Sequence, residues 1–252
     1  MIDTEARIIE NKNIATNYFL LRLTLAEPMG KVTPGQFIML KIPGNEIFLR
    51  RPFSIYDYDK DSLSVMYKVV GKGTECLSRS GKNALVYALG PLGNGYHIRE
   101  RDSYIIVAGG IGVAGVRLLM KRPKKGMSLF FGCACREEVA LINDISQLNP
   151  NISTLDGSYG FKGTVVEMLK RDLKLSRGLD REIFVCGPEG MLKSLKELIN
   201  KDKIPCQALV EERMACGLGL CFGCVKKMVD PEEPYKRVCK EGPVFDLWEM
   251  SL

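Results

Sequence analysis

Four cysteines near the end of the chain have the type and spacing of a metal-cluster site. Cys216, Cys221 and Cys224 follow C-x4-C-x2-C within Cys216-Gly217-Leu218-Gly219-Leu220-Cys221-Phe222-Gly223-Cys224, and Cys239 follows after a further gap. In this pattern four thiolates hold a plant-type two-iron, two-sulfur (2Fe-2S) cluster. A loop wrapped around such a cluster needs positive φ angles and close approach of backbone N–H groups to sulfur, which suits Gly217, Gly219 and Gly223. The alternative is a structural zinc site, because four cysteines also satisfy tetrahedral zinc. Zinc modules more often use two C-x2-4-C pairs, whereas here three sulfurs crowd one glycine-rich loop. The other cysteines, Cys76, Cys133, Cys135, Cys186 and Cys206, are expected to be thiols.

Three further stretches have the chemistry of phosphate and ring binding. Arg50-Arg51-Pro52-Phe53-Ser54-Ile55 sets an arginine, a ring and a hydroxyl at one strand end, with residues 51, 53 and 55 on one side and 52 and 54 on the other. Gly71-Lys72-Gly73-Thr74 leads into a short helix whose first turn favours an anion. Taken alone, the first stretch equally fits a surface charge pair and the second an ordinary turn. In the third stretch, Gly109-Gly110-Ile111-Gly112 follows a strand and opens a helix. Gly110, Gly112 and Gly115 complete G-x-G-x-x-G, which places a pyrophosphate at the helix N-terminus. The acid expected about twenty residues later is missing, Phe130 and Phe131 standing there instead. His97 is the only histidine, so a mechanism built on histidine acid-base chemistry is disfavoured.

The elements that must position these residues change character along the chain. Asn17–Leu25, Gln36–Ile42 and Ser62–Val70 are rich in strand formers and punctuated by Pro28, Pro34-Gly35 and Pro43-Gly44, so residues 8–99 read as an antiparallel β-barrel or sandwich. From Ser103 strands and helices alternate. The strands are Tyr104–Ala108, Met127–Gly132, Ile152–Leu155 and Glu182–Cys186; the helices are Val113–Lys121, Glu137–Leu148, Thr164–Lys174 and Met191–Lys201. Such alternation marks a doubly wound parallel sheet. Lys226–Pro234 reads as an exposed hairpin or loop. With 252 residues, 46% hydrophobic and 26% charged, the chain has the material for a substantial core. Its net charge of +6 is interspersed with acids, and only Lys121-Arg122-Pro123-Lys124-Lys125 is dense, which fits a solvated loop rather than nucleic-acid binding. No apolar run approaches the ~18 residues of a membrane span, and the N-terminus lacks the features of a signal peptide, so a cytoplasmic protein without membrane contact is expected.

The order β domain, nucleotide-type α/β domain, cysteine module resembles the ferredoxin-NADP reductase superfamily over essentially the whole chain. Within it, the sequence is similar to the electron-transfer subunits of class 1B dihydroorotate dehydrogenase. The resemblance implies a multi-domain β plus α/β fold: a β-barrel FAD-binding domain (1–100), a doubly wound NAD-binding domain (101–205) and a small 2Fe-2S module (206–252). It implies that Arg51, Pro52, Phe53 and Ser54 bind FAD, that Lys68, Val69 and Val70 line it, and that Gly73 and Thr74 hold its pyrophosphate. Gly109, Gly110 and Gly112 with Cys186, Gly187 and Pro188 then look like the NAD-site loops, and Cys216, Cys221, Cys224 and Cys239 like the iron ligands. The implied partner is an FMN-containing dihydroorotate dehydrogenase catalytic subunit, in a heterotetramer of two of each, with electrons passing from FMN through cluster and FAD to NAD in pyrimidine biosynthesis. NAD rather than NADP rests on the resemblance, since Arg136 is placed to meet a 2′-phosphate. Superfamily members commonly carry proline where this chain has Gly115. The short gap from Cys224 to Cys239 favours this subunit over an oxygenase reductase. The apolar loop residues Leu218, Leu220 and Phe222 are expected to face the partner. A reductase subunit of a hydrogenase, sulfide or ferredoxin-linked complex, and a zinc-stapled interaction module on a nucleotide-binding scaffold, are the alternatives.

Overall fold

The computed structural model describes residues 1–42, 47–121, 126–175 and 180–252. The turn expected at Pro43-Gly44 and the basic residues Arg122 to Lys125 lie outside them. The first sheet is built by alternation: β1 (Ile2–Ala15) turns Thr4, Ala6 and Ile8 inward, and β2 (Tyr18–Leu25) turns in Leu21, Leu23 and Leu25. These strands join β3 (Phe37–Lys41), β4 (Arg51–Ser54), β5 (Asp57–Asp59), β6 (Ser62–Lys68) and β7 (Leu85–Leu92) in the order β4-β3-β7-β1-β2-β6-β5. Every pairing is antiparallel. The edge strands β4 and β5 are separated only by Ile55 and Tyr56, so the sheet must curl until its edges meet. The link completes the closure, Ile55 N–H donating to Gln36 O and Tyr56 N–H to Ser64 O. Helix α1 (Lys72–Ser78) seats Leu77 in the barrel core.

The second sheet holds β8 (Ser103–Gly109), β9 (Met127–Cys133), β10 (Asn151–Thr154), β11 (Phe161–Lys162), β12 (Arg181–Cys186), β13 (Cys206–Leu209) and, as β16, Val244–Asp246. The order is β11-β10-β9-β8-β12-β13-β16, all parallel except that β16 runs against β13. All six residues of β12 are buried, the continuous run that a sheet covered on both faces requires. Helices α2 (Val113–Met120), α3 (Val165–Leu175) and α4 (Glu189–Ile199) flank the sheet. Strand order reverses between β8 and β12, and the loops leaving these two strands are Gly109–Gly112 and Cys186–Pro188. A ligand crevice belongs at that switch point.

Two expectations need correction, and one is refined. The helix expected over Glu137–Leu148 is present as Arg136–Leu148, wound as 3₁₀ helix. Its polar side chains are engaged elsewhere: Ser146 Oγ–H donates to Asn143 O, Asp144 accepts from Tyr56 and Arg117, and Asn149 ends the segment at φ 48°. The boundary drawn at residue 205 cuts the second sheet, because β13 and the late strand β16 both belong to it. The barrel also begins at Ile2 rather than near Ile8. The cysteine module is stiffened by the hairpin of β14 (Val225–Lys227) and β15 (Tyr235–Arg237). Among the described residues no helix is long and apolar enough to cross a membrane.

Candidate functional site

Cys239 N–H donates to Cys224 Sγ, and Gly219 N–H to Cys239 Sγ, which brings the loop and the last cysteine together. Among the described residues no group of three or more acidic, histidine or cysteine side chains is placed to hold one metal ion. Backbone N–H groups point at sulfur, Gly219 to Cys239 Sγ at 3.1 Å, Leu218 to Cys216 Sγ at 3.4 Å and Cys239 to Cys224 Sγ at 3.4 Å. Burial raises the Cys216 thiol, but backbone donors led by Leu218 outweigh it and hold the group at about 6. Cys239 is pushed up to about 12 by burial and then by Cys224, a like-charge conflict that metal cations reverse. Gly217 and Gly219 have φ +70° and +81°, as expected, but the third left-handed residue is Phe222 at 56° rather than Gly223. Arg237 holds that strained position from outside, its guanidinium 4.8 Å from the Phe222 ring and Nη1 donating to Gly219 O at 2.8 Å. None of the nine cysteines is in a disulfide.

The cysteine loop packs on the barrel. A Cβ on Gly217 would fall 2.6 Å from Met39 Cγ, and Met39 on β3 is the register partner of Pro52 on β4. The cluster loop therefore abuts the strand expected to bind flavin. The two arginines where β4 begins divide. Arg50 forms a two-pronged ion pair with Asp3 (3.0 and 2.7 Å), whereas the Arg51 guanidinium lies over Gly73, where a Cβ would meet its Nε at 2.8 Å. Phe53 is buried in the barrel core with its ring 5.7 Å from that of Tyr67, while Pro52 and Ser54 are half-exposed. The Thr74 hydroxyl is engaged in its own turn, accepting from the N–H groups of Val70 and Gly71 and donating to Gly71 O. Val69 N–H donates to Asn17 O, and Val70 is 78% exposed, an apolar side chain free to meet a ring.

The second assembly is a cleft of about 700 Å³ between the barrel and the α/β sheet. Gly109, Gly110 and Gly112 line it with Cys186, Gly187 and Pro188, and Lys68 enters from the barrel. Gly110 turns at φ +52°, and at Gly112 a Cβ would stand 2.4 Å from Cys186 O, so the two loops touch through glycine. Gly115 lets α2 pack on Leu209 and Cys186, the helix-to-sheet contact of the third fingerprint glycine. Several lining residues were missed in the sequence. Tyr18 O–H donates to Glu138 Oε1 at 2.9 Å, joining barrel to α/β domain, with Lys68 Nζ 4.7 Å from the Tyr18 ring. Burial raises the Tyr18 pKa and desolvation raises that of Glu211. Glu189, Glu212 and Lys226 complete a wall. No motif announces these residues, because each pair is formed across domains. Arg136 stacks 5.7 Å from the Tyr159 ring, and its N–H donates to Ser158 Oγ, itself bonded to Asp156 at 2.6 Å.

Comparison with known proteins agrees with this geometry. Residues 211–251 match the family model for the iron-sulfur cluster binding domain of dihydroorotate dehydrogenase B. The dihydroorotate dehydrogenase B (NAD(+)) electron transfer subunit of Caldanaerobacter subterraneus subsp. tengcongensis is 36% identical over 96% of this chain and 95% of that one. The subunit of the same name from Listeria welshimeri is 34% identical over the full length of both. Among solved structures, that of the NADH-dependent reduced ferredoxin-NADP oxidoreductase superposes with TM-score 0.85 at 23% identity, covering 97% of this chain and 89% of that one. Phthalate dioxygenase reductase gives 0.67 at 14% identity, covering 93% of each.

Proposed function

The chain belongs to the family of dihydroorotate dehydrogenase B electron transfer subunits, and from that premise we propose that it carries electrons from a dihydroorotate-oxidising, FMN-containing partner to NAD, in the cytoplasm, as part of pyrimidine biosynthesis. The assembly is two copies of each subunit. Its own cofactors are FAD and one 2Fe-2S cluster, with NAD as co-substrate. The observation that carries this reading is the seat of the cluster loop on Met39, directly beside the flavin strand, with the nucleotide cleft opening at Lys68.

When bound, FAD exchanges a hydride with nicotinamide and single electrons with the cluster. The chain's residues bind and orient. Cys216, Cys221, Cys224 and Cys239 would hold the cluster. Arg51 donates to a flavin phosphate, Gly73 leaves room for its guanidinium, and the backbone at Gly73 and Thr74 faces the pyrophosphate. Pro52, Ser54, Lys68, Val69 and Val70 border the flavin ring, while Phe53 anchors the strand from inside. Gly109, Gly110 and Gly112 cradle the NAD pyrophosphate, and Cys186-Gly187-Pro188 meets the nicotinamide end. Selectivity for NAD over NADP is supported by the neighbourhood of Arg136: its guanidinium is engaged with Tyr159, and hydrogen bonds from Ser158 keep nearby Asp156 ionised, which opposes a 2′-phosphate. No residue here need act as a base on dihydroorotate, since that oxidation belongs to the partner.

Purified alone, the chain should reduce artificial acceptors with NADH and leave dihydroorotate untouched; mixed with the partner it should couple dihydroorotate oxidation to NADH formation. Turnover of dihydroorotate by the chain alone would overturn the division of labour, and faster rates with NADPH would overturn the selectivity. Leu220 and Phe222, 78% and 62% exposed, face the partner in this reading. Leu220→Glu with Phe222→Glu should abolish complex formation while the cluster spectrum remains.

A further inference from the structure

The hairpin β14–β15 belongs to the cysteine module, yet one of its side chains reaches the nucleotide cleft. Lys226 points opposite to Val225 and Lys227, as alternation on a strand requires, and its side chain is only 12% exposed. Its ammonium donates to Glu189 Oε2 at 2.8 Å and to Glu212 Oε1 at 3.3 Å. Glu189 opens α4 immediately after Cys186-Gly187-Pro188. Lys226 thus ties the cysteine module to the loop at the switch point. The same hairpin grips the cysteine loop, because Arg237, the register partner of Val225, bonds Gly219 O and Glu241.

Charge makes the tie consequential. The cleft is lined by the carboxylates of Glu138, Glu189, Glu211 and Glu212 against the ammonium groups of Lys68 and Lys226. A dinucleotide brings two more negative charges on its pyrophosphate. Glu189 has a second cation in Lys193, at 2.9 Å, so removing Lys226 would leave Glu189 with Lys193 alone, cut the tie to Glu212 and strengthen the repulsion that the ligand meets.

We propose that Lys226 is a positioning residue of the nucleotide site supplied by the cysteine module: by gathering Glu189 and Glu212 it holds the Cys186-Gly187-Pro188 loop and offsets the negative charge that the dinucleotide meets. This rests on the assignment of the cleft to NAD. The test uses the assembled complex with flavin and cluster loaded, measuring NADH-dependent reduction of an artificial acceptor. Lys226→Gln should raise KM for NADH about tenfold, equivalent to ~1.4 kcal/mol, with a smaller change in kcat. Lys226→Arg should restore KM, and Lys226→Gln combined with Glu189→Gln and Glu212→Gln should recover the part of the loss that comes from charge, since it removes the carboxylates that Lys226 offset. A KM within about twofold of wild type in Lys226→Gln, no rescue by arginine, or no recovery in the triple variant would overturn the proposal. So would loss of cluster absorbance in both single variants, which would make Lys226 a support of the cysteine module alone. If the wild-type complex itself failed to saturate with NADH, the assignment of the cleft would fail instead.

Discussion

The four cysteines proposed to hold the cluster lie between residues 216 and 239, whereas the cleft proposed for the nucleotide takes its walls from Tyr18 and Lys68 in the barrel, Gly109–Gly112, Glu138 and Cys186–Glu189 in the α/β domain, and Lys226 in the hairpin. One site is a local segment whose demands are covalent; the other is a shape made where domains meet. Ligation requires particular atoms, so it leaves a spacing that can be read. A cleft requires backbone proximity and balanced charge, which many residue types provide, and its parts are scattered over more than two hundred positions.

The two sites should therefore fail differently. The largest effect belongs to the ligands: Cys224→Ser should abolish the cluster, because a hydroxyl is a poor substitute for a soft thiolate, while flavin binding persists. Iron content and the visible spectrum check this, and a chain that needed Cys206 for iron but not Cys239 would break the assignment; Cys206 is buried in β13. Next is Gly112→Ala, whose Cβ would meet Cys186 O at 2.4 Å and push the two loops apart. Misplacement on the ångström scale costs about a hundredfold, so KM for NADH should rise by about that factor with the cluster spectrum unchanged. If Arg51 holds the flavin phosphate as proposed, Arg51→Ala would remove a charge-assisted hydrogen bond of about 1.5–3 kcal/mol and should weaken FAD binding roughly ten- to a hundredfold. Equilibrium dialysis or fluorescence titration would show it, and an unchanged dissociation constant would remove Arg51 from the flavin site.

The same contrast explains what was legible in the sequence. The cysteine spacing, the barrel strands β2, β3 and β6 and the βα alternation were readable because each is written in adjacent residues. β1 was read late because its inward residues before Ile8, Thr4 and Ala6, are small or polar and the charges of Asp3, Glu5 and Arg7 intervene. The return of the chain as β16 was invisible, since three residues carry no period and their partner strand begins 38 positions earlier. Arg50 and Arg51 look equivalent in sequence. Only the fold, by bringing Asp3 to one and Gly73 to the other, separates a structural ion pair from a candidate ligand. The closing contacts of the cleft, Tyr18 with Glu138 and Lys226 with Glu189, are pairs that no local pattern can announce.

The smallest effect tests the claim that the cleft, unlike the cluster loop, depends on how the domains meet. Tyr18 on β2 and Glu138 on the 3₁₀ segment join barrel to α/β domain through one hydrogen bond of 2.9 Å, while the other Glu138 oxygen accepts from Ala134 N–H. Tyr18→Phe keeps the ring and the Lys68 contact but leaves one carboxylate oxygen without its partner, a loss of about 1 kcal/mol, or roughly fivefold in KM for NADH. Cluster absorbance should not move. The pH dependence has a definite sign. Burial raises the Tyr18 pKa above its ordinary value, so the phenol is protonated and donating at neutral pH. Its contribution is full below the unfolded value of about 10 and is lost as pH climbs through the raised one. Wild type and Tyr18→Phe should therefore differ by a constant factor from pH 6 to 9, values taken well below that limit of about 10, and converge only in strong alkali. A difference that grew on acidification would mean that the carboxylate, rather than the phenol, controls the contact. An equal loss of cluster and nucleotide binding would mean that the two sites are not mechanically separate.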